Sequence, residues 1–283
     1  MEFKAYGKIN LSLDVTGVLE NGYHSVAMIM QSVELCDKVF IEKNSTQDIT
    51  VMTDNPKIPD GKNNLAYKAA ELMVKTYNLP HGFDIKIKKN IPLSGGMAGG
   101  STDAAAVMRG INELCDLNAS NEDLMKLGVT LGADIPFCIQ QRSAFAQGIG
   151  EKLTPIAGLF KDTYILLVNP NIEISTKQIY NLIDTKKCYN TVDSEALIKA
   201  LENRDLDTAS KNMKNVMQTV TAELCPEINT IIDTLNNNGA KAALMSGSGA
   251  TCFGVFTDRK TAESAQGAFN NTNYFTAITN PIQ

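Results

Sequence analysis

The chain has 283 residues, enough for one large domain or two modest ones, and 43% of them are hydrophobic, so it can bury a core without disulfide or metal staples. Lys and Arg total 26 against 31 Asp and Glu; the net charge of -5 argues against a broad basic surface for nucleic acid but leaves room for a local phosphate site. Six cysteines without a C-x-x-C pair and two histidines, His24 and His81, are a poor zinc set; with no apolar leader and no membrane-length apolar run, the expectation is a cytoplasmic protein with reduced thiols and no membrane partner.

In chain order, alternation of polar and apolar residues predicts strands at 10–15 and 38–42, separated by the turn chemistry of Glu20-Asn21-Gly22-Tyr23-His24, and a further strand at 48–53. Helical spacing of Leu65, Ala69, Leu72 and Met73 predicts a helix over 63–77 that Pro80 closes. A strand at 83–89 leads into a glycine run at 95–100 and a helix striped by Ala104, Val107, Met108, Ile111 and Cys115. Residues 121–131 read as a helix capped by Ser120 or Asn121, and 135–139 and 143–147 as short strands. Gly150, Pro155 and Gly158 suggest a boundary, giving domains 1–157 and 158–283. Beyond it come a central strand at 164–168, helices at 176–183, 193–202, 205–221 and 227–238, strands at 242–245 and 252–256, a helix near 260–269 and a last strand near 273–278. Strands first and mixed elements later predict an α+β architecture.

The strongest chemical signal is Pro92-Leu93-Ser94-Gly95-Gly96-Met97-Ala98-Gly99-Gly100-Ser101-Thr102-Asp103 between a predicted strand and a predicted helix. Bare backbone lets a charged oxygen approach several N–H groups, and a helix N-terminus adds positive potential. Ser101 and Thr102 offer hydroxyls to phosphate or magnesium. The bland reading is a flexible turn whose Ser-Thr-Asp caps a helix. The P-loop pattern fails because Glu2 and Pro56 stand where its first glycine belongs, and G-x-G-x-x-G fails at Met97 and Cys252.

Asp134 in Gly132-Ala133-Asp134-Ile135-Pro136 lies between a helix end and an apolar segment, and reads equally as a turn aspartate or as a base for a substrate hydroxyl. Lys8, at the start of a strand, reads from the residues alone as a solvated edge lysine, and Gly22-Tyr23-His24 as an ordinary turn with an aromatic. Met245-Ser246-Gly247-Ser248-Gly249-Ala250-Thr251 is a second glycine-rich turn, suited to close backbone approach or to a plain hairpin.

Together and in this order, Lys8-Ile9-Asn10-Leu11-Ser12-Leu13, the glycine loop and the later glycine turn resemble the GHMP kinase family, over nearly the whole chain. Gly22-Tyr23-His24 and Phe145-Ala146-Gln147-Gly148-Ile149-Gly150-Glu151 narrow the resemblance to its members that act on a cytidine diphosphate-linked methylerythritol; the alternative is a homoserine or mevalonate type of the same family. The resemblance implies a two-domain GHMP kinase fold, with an N-terminal ribosomal S5 domain 2-like half and a C-terminal ferredoxin-like α/β sandwich, in a monomer or homodimer. It implies ATP and Mg²⁺ as cofactors, a small-molecule substrate, and Asp134 as catalytic base paired with Lys8. It further implies an ATP-binding loop of Pro92, Leu93, Ser94, Gly95, Gly96, Met97, Ala98, Gly99, Gly100, Ser101 and Thr102, with Asn64 and Leu65 near the adenine. Tyr23 and His24 would read the cytosine, Tyr180 would lie on the base's opposite face, and Asn10 would touch the substrate beside Lys8. Ala98 and Thr102 depart from the glycine and serine usual in the family's loop.

Overall fold

A computed structural model describes residues 1–20, 22–93, 95–189 and 191–283. The first half of the chain contains strands β1 (Glu2–Val18), β2 (His24–Lys43) and β3 (Ile49–Thr53), helix α1 (Leu65–Tyr77), strand β4 (Phe83–Lys88), helices α2 (Gly99–Leu114), α3 (Asn121–Gly128) and α4 (Ile135–Gln140), and strands β5 (Ala144–Gln147) and β6 (Lys152–Pro155). The second half contains β7 (Tyr164–Asn169), helices α5 (Thr176–Lys186), α6 (Ser194–Glu202), α7 (Leu206–Asn212), α8 (Val216–Leu224) and α9 (Glu227–Asn237), strands β8 (Ala242–Met245) and β9 (Cys252–Phe256), α10 (Arg259–Gly267) and β10 (Phe275–Thr279). The architecture is α+β, as the element order suggested.

Two compact units make up the chain, and neither is one continuous segment. The first comprises residues 1–7, 35–91 and 98–141. Here β2 runs antiparallel to β4, with Val39 opposite Ile87 and Ile41 opposite Ile85, and β3 runs parallel to β4. The inward side chains Val39, Ile41, Val51, Phe83, Ile85 and Ile87 pack against Ala66, Ala69 and Met73 of α1 and Ala104, Ala105, Val107 and Met108 of α2. Alanines where α1 meets α2 let the helices approach closely, so the start of α2 is set by a well-packed core.

The second unit comprises residues 8–34, 92–97 and 142–283. The N-terminal part of β2 pairs antiparallel with β5, and β5 with β6. A separate sheet has the order β10-β7-β9-β8, every neighbour antiparallel. Its central strands β7 and β9 are buried almost end to end, while α9 packs on β8 and β9, and α10 on β7 and β10.

The structure corrects two readings. Residues 135–139 form helix α4, not a strand: a short apolar run does not reveal its period, and Pro136 in the first turn suits a helix, where its missing N–H is not needed. The single helix expected over 205–221 is broken, because Met213 is extended and the Asn215 side chain accepts the Met217 N–H and starts α8 afresh. The stretch around Gly150, Pro155 and Gly158, read as a domain boundary, includes β6.

Candidate active site

Lys8 is 5% exposed, and its ammonium donates to Asn10 Oδ1 at 2.7 Å. β1 is buried on both faces here: the polar side of the alternation, Asn10, Ser12 and Asp14, is as enclosed as the apolar side. Asn10 N–H donates to Ser246 Oγ at 3.2 Å, and that hydroxyl donates to the carbonyl of Gly96 at 2.9 Å. Lys8, Asn10, the middle of the first glycine loop and the second glycine turn are therefore brought together, all within the second unit. Lys8 N–H adds a bond to the Met97 carbonyl at 3.2 Å.

Gly96 has φ +70°, and a Cβ there would lie 2.0 Å from the Ser246 carbonyl oxygen, so only glycine fits. Gly95 abuts the Asn169–Thr251 pair, which is joined by a 2.8 Å hydrogen bond. Asn215 Nδ2 donates to the carbonyls of Met245 and Gly247, both at 2.8 Å, and so shapes the second turn. Sequence reasoning singled out neither Asn169 nor Asn215, whose partners Thr251, Met245 and Gly247 lie far away in sequence and leave no local pattern; Thr251 itself belongs to the second glycine turn. Pro92 and Leu93 are described, Met97 is buried, and the Ser94 assignment lies outside the described residues.

The remaining loop residues open α2 in the first unit. Ala98 precedes the helix in a left-handed conformation, φ 59°, which explains why glycine suits this place. Gly99, Gly100 and Ser101 form the first turn, whose leading N–H groups have no partner within the helix. Thr102 is buried, and its hydroxyl donates to the Tyr6 carbonyl at 2.6 Å. Asn64 caps α1 by accepting the Ala66 N–H at 2.9 Å and donates to the Pro59 carbonyl at 3.0 Å; Leu65 is the first residue of that helix.

Asp134 occupies the N-cap position of α4, yet its carboxylate makes no capping hydrogen bond to the helix. It belongs to the first unit and Lys8 to the second.

The aromatic residues lie in the second unit. The His24 and Tyr180 rings stack with centroids 4.3 Å apart and planes within 20°. Tyr23 is 61% exposed, and Asn21 of the same motif lies outside the described residues. Asp184 accepts from Tyr189 at 2.6 Å and faces His24 Nε2 at 2.7 Å. The Tyr189 hydrogen bond, with help from His24 and against partial burial, holds the Asp184 carboxyl below its ordinary value. An ionised carboxylate can only accept, so His24 donates to it through Nε2.

Residues 64–142 match the family described as GHMP kinases N terminal domain, and residues 197–274 match GHMP kinases C terminal. A protein of Acetivibrio thermocellus named 4-diphosphocytidyl-2-C-methyl-D-erythritol kinase is 44% identical over 282 residues, covering 100% of this chain and 99% of the relative. A crystal structure of 4-(cytidine 5'-diphospho)-2C-methyl-D-erythritol kinase superposes with TM-score 0.83 at 29% identity, covering 99% of each chain. A homoserine kinase from Cytophaga hutchinsonii superposes with TM-score 0.75 at 15% identity, covering 99% of this chain and 94% of that one, which speaks to the fold alone.

Proposed function

The chain belongs to the GHMP kinase family, and on that premise we propose that it transfers the γ-phosphoryl group of ATP to the 2-hydroxyl of 4-diphosphocytidyl-2-C-methyl-D-erythritol, a step in non-mevalonate isoprenoid precursor synthesis. The observation that carries this reading is the full-length likeness to kinases of that name, at 44% identity. The homoserine and mevalonate kinases share the fold at 15% identity or less in the examples with TM-scores of 0.75 and 0.73.

Phosphoryl transfer asks for positioning and charge neutralisation more than for covalent chemistry. The glycine loop, from Pro92 to Thr102, would hold the ATP phosphates, with the N–H groups of Gly99 and Gly100 and the positive end of α2 supplying the attraction. A Cβ on Gly100 would meet nothing within 4 Å, so the backbone there is open to a bulky anion. Asn64 and Leu65 border the adenine. Magnesium would neutralise the phosphate charge when bound; among the described residues no trio of His, Cys, Asp or Glu could hold a metal by itself, and of the two hydroxyls that would face it, Ser101 and Thr102, that of Thr102 already donates to the Tyr6 carbonyl.

Asp134 accepts the proton of the attacking hydroxyl. Its carboxylate is not consumed in capping α4 and so stays available as a base. Lys8 orients and polarises that hydroxyl, with Asn10 fixing the ammonium and touching the substrate. Tyr23, His24 and Tyr180 hold the cytosine through ring contact and hydrogen bonding. Domains 1–157 and 158–283 go with this reading, as does a cytoplasmic location; among the described residues no helix is long and apolar enough to cross a membrane.

The test is a coupled ADP-release assay over a panel of alcohols. Turnover is expected with the diphosphocytidyl substrate; turnover with homoserine or mevalonate and none with that substrate overturns the reading. Asp134→Ala should lower kcat by about 10²–10⁴-fold without changing the melting temperature.

A further inference from the structure

Outside the groups assigned above, the first unit holds a buried charge cluster of Asp37, Lys89 and Asp103. The Lys89 side chain is 5% exposed; its ammonium donates to Asp37 Oδ2 and, at 2.5 Å, to Asp103 Oδ2. Asp37, on β2, also accepts the backbone N–H groups of Asn90 at 2.5 Å and Ile91 at 2.8 Å through Oδ1. Asp103 Oδ1 is buried without a hydrogen-bond partner. A Cβ built on Gly99 would lie 3.6 Å from Lys89 Nζ and 3.4 Å from Ile91 Cγ2, so the ammonium sits against the start of α2.

The positions of these partners along the chain matter. Residues 89–91 lead into the glycine loop, and Asp103 lies just past it in the opening turns of α2. Burying two carboxyl groups with one ammonium is a costly way to hold segments together, since apolar contacts could do the same at less desolvation cost. What directional hydrogen bonds to one buried ammonium add is registry. They are satisfied in one arrangement, whereas apolar surfaces slide. Registry is what a phosphate cradle made of helix N–H groups requires, because misplacement by about 1 Å can cost on the order of 10²-fold in rate.

We propose that Asp37, Lys89 and Asp103 are positioning residues that fix the start of α2 against residues 89–91, which follow β4, and so set the backbone donors that receive the ATP phosphates. The proposal rests on the kinase reading above. None of the three touches substrate; they act through the helix start.

The experiment is steady-state kinetics on Asp103→Ala and Asp103→Asn, varying ATP and the diphosphocytidyl alcohol separately. Asp103→Ala should raise KM for ATP by about tenfold or more while leaving KM for the alcohol within about twofold, and Asp103→Asn, which keeps an acceptor for Lys89, should recover most of that loss. Equal rises for both substrates, no rise for ATP, or an Asn variant no better than the Ala variant would overturn it. If Asp103→Ala does not fold, Lys89→Arg decides: it keeps the charge but enlarges the buried cation, and the same selective rise in ATP KM is expected, with an unchanged ATP KM counting against the proposal. A wild-type chain that turns over no ATP with this alcohol would instead fail the kinase reading itself.

Discussion

The middle of the glycine loop and its two flanks are held by different kinds of chemistry. Residues 95–97 are fastened in the second unit by neutral groups: the Ser246 hydroxyl on the Gly96 carbonyl, Lys8 N–H on the Met97 carbonyl, and Gly95 against the Asn169–Thr251 pair. The flanks are fastened in the first unit by a buried cation between two carboxylates. Neutral bonds at van der Waals contact tolerate changes of pH but no added atom. A charged cluster tolerates small changes of shape but answers to every proton gained or lost.

The sharpest way to break the comparison is to add one atom at the middle. Gly96→Ala puts a Cβ 2.0 Å from backbone oxygen at a positive φ, and should destabilise the chain by about 2–3 kcal/mol and raise KM for ATP by about tenfold or more. Gly100→Ala, in open space on helical backbone, should be neutral or stabilising by about 0.5–1 kcal/mol. Denaturant titration of both variants decides; equal losses would mean that space is not what the middle lacks.

The second test uses protons at the flank. Burial pushes the Asp103 carboxyl up to about 8 against the pull of Lys89, and Asp37 beside it adds to the rise. Burial alone would lower the Lys89 ammonium, but the two carboxylates outweigh it and hold it above its ordinary value. Asp103 therefore keeps its proton in the folded chain at pH values where the unfolded chain has lost it. Its stabilising contribution is greatest below the ordinary carboxyl value near 4, falls as pH rises towards about 8, and is then constant. The melting temperature of the wild type relative to Asp103→Asn, without nucleotide or magnesium, should decline over that window and level off. A difference that grows with pH would mean the ion pair wins over burial.

The smallest effect concerns the join between middle and flank. Ala98→Gly relieves a left-handed alanine, and should stabilise the chain by about 1 kcal/mol with little change in ATP KM. Thermal unfolding reads it, and a loss of stability would show that the Ala98 methyl packs usefully.

The glycine loop and the helix after it were legible because the signal is contiguous and depends on what is absent, side chains on backbone. The paired strands and α1 were legible from their periods. The burial of Lys8, which only the resemblance singled out, was not: an alternating strand implies one wet face, and only the fold shows that its polar face meets Ser246 and its neighbours. Asp37 and Lys89 are 52 residues apart, and charges in a sequence default to solvent, so their buried pairing with Asp103 leaves no local trace. Helix α4 was misread because five apolar residues in a row do not show which period they follow.

The His24–Tyr180 stack has a further consequence. Two rings 4.3 Å apart already touch, and no third ring lies between them. A flat substrate group that claims the inner face of Tyr180 must evict an imidazole that Asp184 also holds. Its affinity is then the difference between two stacks, about 0.5–1.5 kcal/mol each, and not the worth of one. On the proposed reading, a ring that brings only its flat face therefore gains little over the stack already formed.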